Sequence, residues 1–254
     1  MVFSDSEVEQ FISEGYVMLR HAFSRELAAE CREFVWKQVP LWEHCTTFGQ
    51  PMVQIQNVFG CPPFDRIMNE RLSSGLDQIV GVDRWRFYGL YGWWSLLFPG
   101  FQGPGGWHVD GGQLRIRGHV TEHHHALVTL FLFSDTGPDD GGTAMIRGSH
   151  LKVVRALDRE GESGISWDEL KPKLAPADLL SPDDSQIAHL TGEAGDVALM
   201  HASLIHGFGR NNGNHIRFAC NPLFQLKEPL ELERADGRYS AVELAMRNAI
   251  SLDR

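Results

Sequence analysis

Short β-prone runs separated by glycine-rich turns fill most of the chain after residue 84, and this alternation limits the possible folds most strongly. Turn signals rich in Gly, Asn, Asp and Pro lie at residues 137–142, 192–195 and 211–213. The predicted strands cover residues 85–98, 126–133, 143–146, 186–190, 196–200 and 216–226. Many short strands at such spacing are typical of a β-sandwich or a β-barrel.

Helical patterns flank this β-rich region on both sides. Ser4 and Glu7 form a capping box before the first helix, and Gly15 supplies its stop. Further helices are predicted from apolar side chains at helical spacing, at residues 24 to about 39, 67–80 with an interruption at 73–75, and 241–250. The fold class is therefore mainly β with flanking helices.

A single domain over residues 1–254 accounts for this order of elements. It comprises a mostly helical flank at 1–80, a β core at 85–230 and a C-terminal helix at 240–251. The charged, proline-bearing stretch 152–184 interrupts the series of predicted strands and is interpreted as an insertion. Such an insertion is either a lid over an active site or a variable surface excursion.

Composition excludes several classes of partner. The formal net charge of −10 argues against nucleic acid and against anionic membrane surfaces. No apolar stretch approaches a transmembrane span, and the acidic first residues lack the regions of a signal peptide. The four cysteines include no CxxC pair. We therefore expect a cytoplasmic protein with reduced thiols and a small-molecule substrate.

The candidate chemistry begins with His108 and Asp110, two residues apart and flanked by glycines. On a β-strand this spacing points both side chains to one face. A catalytic metal needs a third ligand, and His201 and His206 are the candidates that follow a turn-bounded apolar run. Because these two are five residues apart, they face opposite sides of a continuous strand, so only one can reach the metal.

The turn at 211–213 favours His206. A symmetric hairpin centred on this turn would set His206 directly opposite Arg217. A guanidinium beside a metal ligand could bind the far carboxylate of a co-substrate through two hydrogen bonds. His201 has no such partner. We therefore predict a metal site formed by His108, Asp110 and His206.

Two histidines and one carboxylate form the facial triad of non-haem Fe(II) oxygenases, which leaves coordination positions open. Zinc hydrolases with similar ligands usually carry an HExxH motif, and this chain has none. The open positions can take a 2-oxo acid and O2. The predicted chemistry is therefore oxidative.

The ordered motifs resemble the phytanoyl-CoA dioxygenase family of Fe(II)/2-oxoglutarate oxygenases. The resemblance spans most of the chain and is weakest at residues 40–85 and 152–184. It rests on the HVD motif at 108–110, the HGFG run at 206–209, Arg217 eleven residues after His206, and the segments 11–19 and 141–150.

The resemblance implies a double-stranded β-helix core (a jelly roll, cupin-like) with helices on one side. It also implies His108, Asp110 and His206 as iron ligands and Arg217 as the anchor for the C5 carboxylate of 2-oxoglutarate. Where the family often has a serine after the distal histidine, this chain has Phe208, so Thr129 or Thr143 is expected to supply a hydroxyl to the co-substrate. The aspartate in the motif argues against the halogenating branch of the family.

The expected reaction consumes 2-oxoglutarate and O2 and oxidises a C–H bond, by hydroxylation or oxidative cyclisation. Natural-product tailoring is the expected setting, with a glycoside as substrate, and the oxygenases that close orthoester rings on oligosaccharide antibiotics are one branch. An acyl-CoA or other lipid-like substrate is the alternative. Two other classes of protein with the same fold are also possible interpretations. They are a metal-dependent hydrolase or isomerase, and a non-catalytic ligand-binding protein.

Overall fold

Twelve strands build the core of the part of the chain that the structure describes. This structure is a computed structural model that describes residues 1–38, 51–56, 61–88, 92–103, 105–111, 113–116, 125–174 and 177–251. The strands are β1 (Tyr16–Leu19), β2 (Met52–Gln56), β3 (Trp85–Tyr88), β4 (Trp93–Leu97), β5 (Gly105–His108), β6 (His125–Leu132), β7 (Ala144–Ile146), β8 (Ile187–His189), β9 (Val197–His201), β10 (His206–Phe208), β11 (Arg217–Cys220) and β12 (Leu223–Leu226).

The strands form two antiparallel sheets. The large sheet has the order β1-β9-β6-β11-β4-β2, and β12 joins it by pairing with both β6 and β3. The small sheet has the order β5-β10-β7-β8. The fold is therefore mainly β with flanking helices and a jelly-roll core, as predicted.

Helices cover the outer face of the large sheet. The α1 helix starts with the predicted capping box of Ser4 and Glu7 and ends at Gly15, whose φ of 92° suits glycine. The α3, α4 and α1 helices each pack against α6. The helices are α1 (Asp5–Glu14), α2 (Arg25–Gln38), α3 (Glu70–Val80), α4 (Ser149–Glu160), α5 (Trp167–Leu170) and α6 (Ala241–Ser251).

Strand alternation divides the apolar side chains between two layers. On β6, Leu127 and Phe131 join the large cluster between the sheet and the helices. Val128, Leu130 and Leu132 face the other way and join a smaller cluster between the two sheets. The space between the sheets is therefore filled by apolar packing at one end and is open to a cavity at the other.

The predicted helical flank contributes two strands of the large sheet. The β1 strand pairs with β9, and β2 pairs with β4. The third helix begins at residue 70, because Asn69 caps it by accepting a hydrogen bond from Leu72 N, and it runs without the predicted interruption at 73–75. Gly75 lies inside this helix, where a Cβ would sit 3.1 Å from Leu19 Cδ2.

Two predicted long strands are each divided in two. The run at 85–98 forms β3 and β4, and the run at 216–226 forms β11 and β12. Asn221 and Pro222 separate the second pair, and a proline cannot donate to the strand ladder. This break lets β11 pair with β4 while β12 pairs with β3.

The predicted hairpin between His206 and Arg217 is wrong. His206 lies on β10 in the small sheet, and Arg217 lies on β11 in the large sheet. The chain crosses between the sheets here, and the fully buried Asn211 anchors the crossing, because its Nδ2 donates to Leu97 O at 2.8 Å and His215 O at 3.1 Å. The two side chains still face one another, but across the cavity and not across a strand pair.

The segment 152–184 lies between β7 and β8 and is largely helical. The α4 helix buries Val153, Val154 and Leu157 and packs against α6. None of the described residues of this segment lines the cavity between the sheets. The structure therefore places the described part of this segment in the helical layer, and the choice between a lid and a surface excursion stays a prediction.

Within the described residues, no helix combines the length and the apolar character that crossing a membrane requires.

Two buried histidines join the helices to the large sheet. His150 at the start of α4 donates a hydrogen bond from Nε2 to Ile12 O at 3.0 Å, and its ring centroid lies 5.0 Å from that of His201 on β9. Burial lowers the pKa of His150 to about 4. Burial, followed by the neighbouring His150, lowers the pKa of His201 well below its ordinary value.

Acid should therefore destabilise the protein through these imidazoles. Both are neutral when folded, whereas unfolded histidines take up protons below about pH 6.5, so the free energy of unfolding falls as the pH drops from about 6.5 towards 4. The variant His150→Gln keeps a donor but cannot be charged. Between pH 7 and pH 5 we expect the free energy of unfolding of the wild type to fall by about 1–2 kcal/mol more than that of the variant. Urea unfolding across this range measures the difference, and equal losses would contradict the assignment.

Candidate active site

Cross-strand pairing brings His108 and His206 together. His206 on β10 is the register partner of His108, the last residue of β5. Residues opposed in an antiparallel pair have Cβ atoms about 5 Å apart. The two imidazole centroids accordingly lie 4.5 Å apart. His201, in contrast, lies on β9 among the buried side chains under α1 and α4.

Asp110 completes the group. The sequence predicted it on the same strand as His108, but β5 ends at His108 and Asp110 lies in the bend that follows. The spacing still turns both side chains to one side: Asp110 Oδ1 lies 3.3 Å from His108 Nε2 and 3.7 Å from His206 Nε2. One ligand atom from each residue lies within 4.8 Å of the others, so the three can hold one metal ion.

Backbone carbonyls orient both imidazoles. His108 Nδ1 lies 2.5 Å from Gly106 O, and His206 Nδ1 lies 3.0 Å from Leu204 O. Because a carbonyl oxygen only accepts hydrogen bonds, each Nδ1 must donate, and each Nε2 is directed towards Asp110.

Asp110 also changes the titration of His108. Burial alone would lower the pKa of His108, but the hydrogen bond and the negative charge of Asp110, with the Gly106 carbonyl, outweigh it and raise the pKa. The site thus favours positive charge at the position between these side chains. A metal cation would take the place of that proton.

Arg217 faces this group from the large sheet. Only 1% of its surface is exposed, and it donates from Nε to Gly141 O at 3.0 Å and from Nη1 to Ser95 O at 3.4 Å. Its Nη2 is buried without a hydrogen bond, and no carboxylate among the described residues pairs with it. Burial lowers the pKa of Arg217 to about 10, which leaves it charged at neutral pH. A buried cation of this kind fits an anionic ligand.

A single cavity of about 700 Å³ contains both features. It is lined by the three candidate metal ligands and Arg217, and also by Thr143, by amide side chains and by an apolar wall. Phe208, at the position where the family often has serine, is part of this wall and packs edge-on against Phe101 with ring centroids 5.9 Å apart.

The two predicted threonines differ in position. Thr143 lines the cavity, but Thr129 does not. Since Val128 and Leu130 face the cavity, strand alternation turns Thr129 to the opposite face, where its hydroxyl donates to Pro222 O at 2.9 Å. The prediction of a co-substrate contact for Thr129 is therefore corrected.

The predicted site residues did not include Trp93, Gln54 or Asn221, which also line the cavity. Trp93 lies in the run 85–98, which was predicted only as a strand. Its parity with Ser95 on β4 was the available signal, because residues two apart on a strand share a face. No such signal existed for Gln54, because β2 was not predicted.

The fold and the site together define a class of protein. A jelly roll with two histidines and a carboxylate at its open end, facing a buried arginine, is the arrangement of a non-haem iron oxygenase with a 2-oxo acid co-substrate. Residues 20–219 match the phytanoyl-CoA dioxygenase (PhyH) family. The chain belongs to this family, and it is a 2-oxoglutarate-dependent, non-haem iron oxygenase. No curated protein matches the chain.

Solved structures with the same fold cover almost the whole chain. HygX from Streptomyces hygroscopicus, with nickel, 2-oxoglutarate and hygromycin B bound, is 16% identical, with a TM-score of 0.58 over 94% of this chain and 95% of that one. EvdO2 from Micromonospora carbonacea var. aurantiaca, complexed with 2-oxoglutarate, is 17% identical, with a TM-score of 0.59 over 91% and 94%. The carbocyclase SnoK from nogalamycin biosynthesis is 19% identical, with a TM-score of 0.56 over 92% and 89%. These likenesses show the fold.

The buried guanidinium gives a direct test of anion binding. We expect Arg217→Met to leave the ligand-free free energy of unfolding unchanged or higher, because it removes an uncompensated buried charge. The same change should abolish the stabilisation by 2-oxoglutarate, which for an intact site is about 2.7 kcal/mol at a ligand concentration 100 times Kd. Thermal unfolding with nickel, with and without 2-oxoglutarate, measures both effects. Arg238→Met, at an exposed arginine, is the control. If 2-oxoglutarate stabilised Arg217→Met as much as the wild type, the assignment of Arg217 to the co-substrate site would be wrong.

Proposed function

We propose that His108, Asp110 and His206 hold Fe(II), and that Arg217 binds the C5 carboxylate of 2-oxoglutarate. The single observation that carries this proposal is the convergence of the three ligand atoms opposite a buried, unpaired guanidinium in one cavity. In this arrangement the enzyme oxidises a C–H bond of a small molecule.

Each side chain has a separate task. Iron, when bound, supplies the oxidative decarboxylation of 2-oxoglutarate by O2 and the oxidation of the substrate C–H bond. Asp110 contributes the negative charge that favours a divalent cation, and the carbonyls of Gly106 and Leu204 fix the two imidazoles. The free Nη2 of Arg217 directs the co-substrate, because a guanidinium donates parallel hydrogen bonds to a carboxylate.

The apolar wall protects the reaction from water. Val128 and Leu130 of β6 and Met200 of β9 line the cavity from the large sheet, and Phe101 and Phe208 close its side. Excluding water strengthens the interaction of Arg217 with a carboxylate and limits side reactions of the oxidant. Thr143 adds a hydroxyl to this wall, and we assign it to the co-substrate.

The substrate is proposed to be a natural product that carries a sugar or a similar polyhydroxylated ring. HygX was solved with hygromycin B, and SnoK belongs to nogalamycin biosynthesis. Apart from the proposed metal ligands and Arg217, the described lining of the cavity carries no charged side chain. This favours an uncharged ligand over an acyl-CoA ester. The reaction is assigned to the cytoplasm, where the buried thiols of Cys31 and Cys220 stay reduced.

Turnover of 2-oxoglutarate tests the reaction class. We expect the purified protein with Fe(II), O2 and 2-oxoglutarate to release succinate. Succinate release without O2 would oppose the oxygenase reaction. O2-independent conversion of a substrate would support a hydrolase or isomerase, and ligand binding without any O2 uptake would support a binding protein.

Metal binding tests the three ligands independently of turnover. We expect His108→Ala, Asp110→Ala and His206→Ala each to weaken nickel binding by at least tenfold, because each removes one of three ligands, a loss of more than about 1.4 kcal/mol. Titration calorimetry measures the Kd. His189→Ala, at an exposed histidine of β8, is the matched control. Wild-type affinity in both His108→Ala and Asp110→Ala would refute the ligand assignment.

The role of Thr143 predicts a smaller effect on the co-substrate. We expect Thr143→Val, which keeps the shape but removes the hydroxyl, to raise the Kd for 2-oxoglutarate about three- to tenfold, as loss of one hydrogen bond of about 0.5–1.5 kcal/mol implies. Calorimetry with the nickel-loaded protein measures this Kd. Thr129→Val is the control for the threonine that faces away, and an equal effect of both variants would contradict the assignment.

A further inference from the structure

The floor of the cavity is laid out in rows by the register of β2, β4 and β11. In the first row Met52 and Arg217 line the cavity on either side of Leu97, and in the second row Gln54 and Ser95 line it beside Ala219. Trp93 lies in the third row, two residues beyond Ser95 on β4. Because two residues of a strand span about 7 Å, Trp93 lies about 13 Å along the strand from the row of Arg217. A molecule bound at Trp93 is therefore distinct from the co-substrate at Arg217.

Trp93 presents a half-exposed ring to this cavity from an anchored backbone. Its neighbour Trp94 is fully buried on the other face of β4, whereas Trp93 is 51% exposed and lines the cavity. The backbone of Trp93 is held on both sides by Asn221: Trp93 N donates to Asn221 Oδ1 at 2.7 Å, and Asn221 N donates to Trp93 O at 3.1 Å. A half-exposed indole on an anchored backbone offers a flat surface to a ring-shaped ligand.

Two amide side chains line the same cavity as this ring. Among the described residues, Gln54 has no side-chain hydrogen-bond partner, and Asn221 accepts at Oδ1 while its Nδ2 has none. The group that an indole and two neutral amides recognise is an apolar ring face edged by hydroxyl groups.

We propose that Trp93 is the stacking surface for an uncharged, hydroxylated ring of the substrate, with Gln54 and Asn221 as partners for its hydroxyl groups. This inference rests on the proposed function, because it places the substrate in the same cavity as 2-oxoglutarate. It makes Trp93 a specificity-determining residue.

Fluorine NMR on 5-fluorotryptophan-labelled protein tests the contact directly. The protein is loaded with nickel and 2-oxoglutarate, which prevents turnover, and the Trp93 resonance is assigned by its loss in Trp93→Phe. We expect maltotriose, an uncharged oligosaccharide, to shift this resonance in a saturable way. The resonance of Trp36, which is 38% exposed and does not line the cavity, should stay in place.

Variants give the expected size of the effect. We expect Trp93→Ala to raise the Kd for maltotriose about tenfold and Trp93→Phe to raise it less, because the phenyl ring keeps part of the stacking surface. Gln54→Leu should also raise this Kd, whereas Trp36→Ala should leave it unchanged. All variants should bind 2-oxoglutarate like the wild type. If Trp93→Ala does not fold, the wild-type NMR titration still decides the question.

The outcomes separate this inference from the proposed function. If 2-oxoglutarate binds but maltotriose leaves the Trp93 resonance unmoved, the inference is overturned and the proposed function stands. If octanoyl-CoA shifts the resonance and maltotriose does not, the inference is also overturned in favour of an acyl ester. If maltotriose shifts the resonance but 2-oxoglutarate does not bind, the sugar contact stands and the proposed function fails.

Discussion

The direct opposition of His206 and His108 across the β10–β5 pair is the constraint on which the candidate site depends. Backbone pairing brings the two imidazoles together, with their ring centroids 4.5 Å apart. The close packing around β10 needs glycine: a Cβ on Gly103 would lie 2.4 Å from Phe208 O, and a Cβ on Gly209 would lie 1.9 Å from Gly142 O. These close backbone contacts fix β10 against its neighbours, and a rigid backbone of this kind is what a catalytic site requires of the residues that hold its ligands.

Opposite charges on the two sheets complete the site. Asp110 follows a strand of the small sheet, and Arg217 lies on a strand of the large sheet. Burying a guanidinium without a counter-charge costs several kcal/mol, and the carbonyls of Gly141 and Ser95 offset only part of this cost. In the proposed site a co-substrate would bridge a metal cation on one sheet and the guanidinium of Arg217 on the other. A dicarboxylate such as 2-oxoglutarate suits two positive charges at opposite ends of one cavity.

Local patterns in the sequence predicted the elements, and non-local pairing decided the site. The capping box at Ser4 and the alternation along β6 are encoded by neighbouring residues, and both are seen in the structure. The partner of a strand is not encoded locally. The hairpin argument for His206 was therefore wrong, although the structure does bring His206, and not His201, to Asp110. A strand that crosses to the opposite sheet can face the same cavity, and periodicity alone does not distinguish this from a hairpin.

The error at Thr129 has a different cause and indicates how the prediction could be improved. Residue type suggested a hydroxyl donor, but parity along β6 determines which hydroxyl reaches the cavity. The same parity rule, applied to β4, brings Trp93 and Ser95 to the floor and sends Trp94 to the core. A chain with a net charge of −10 and no cation beyond Arg217 in its described cavity lining would repel the phosphates of an acyl-CoA. Strand parity and charge are independent premises, and both support the proposal of an uncharged ring stacked on Trp93.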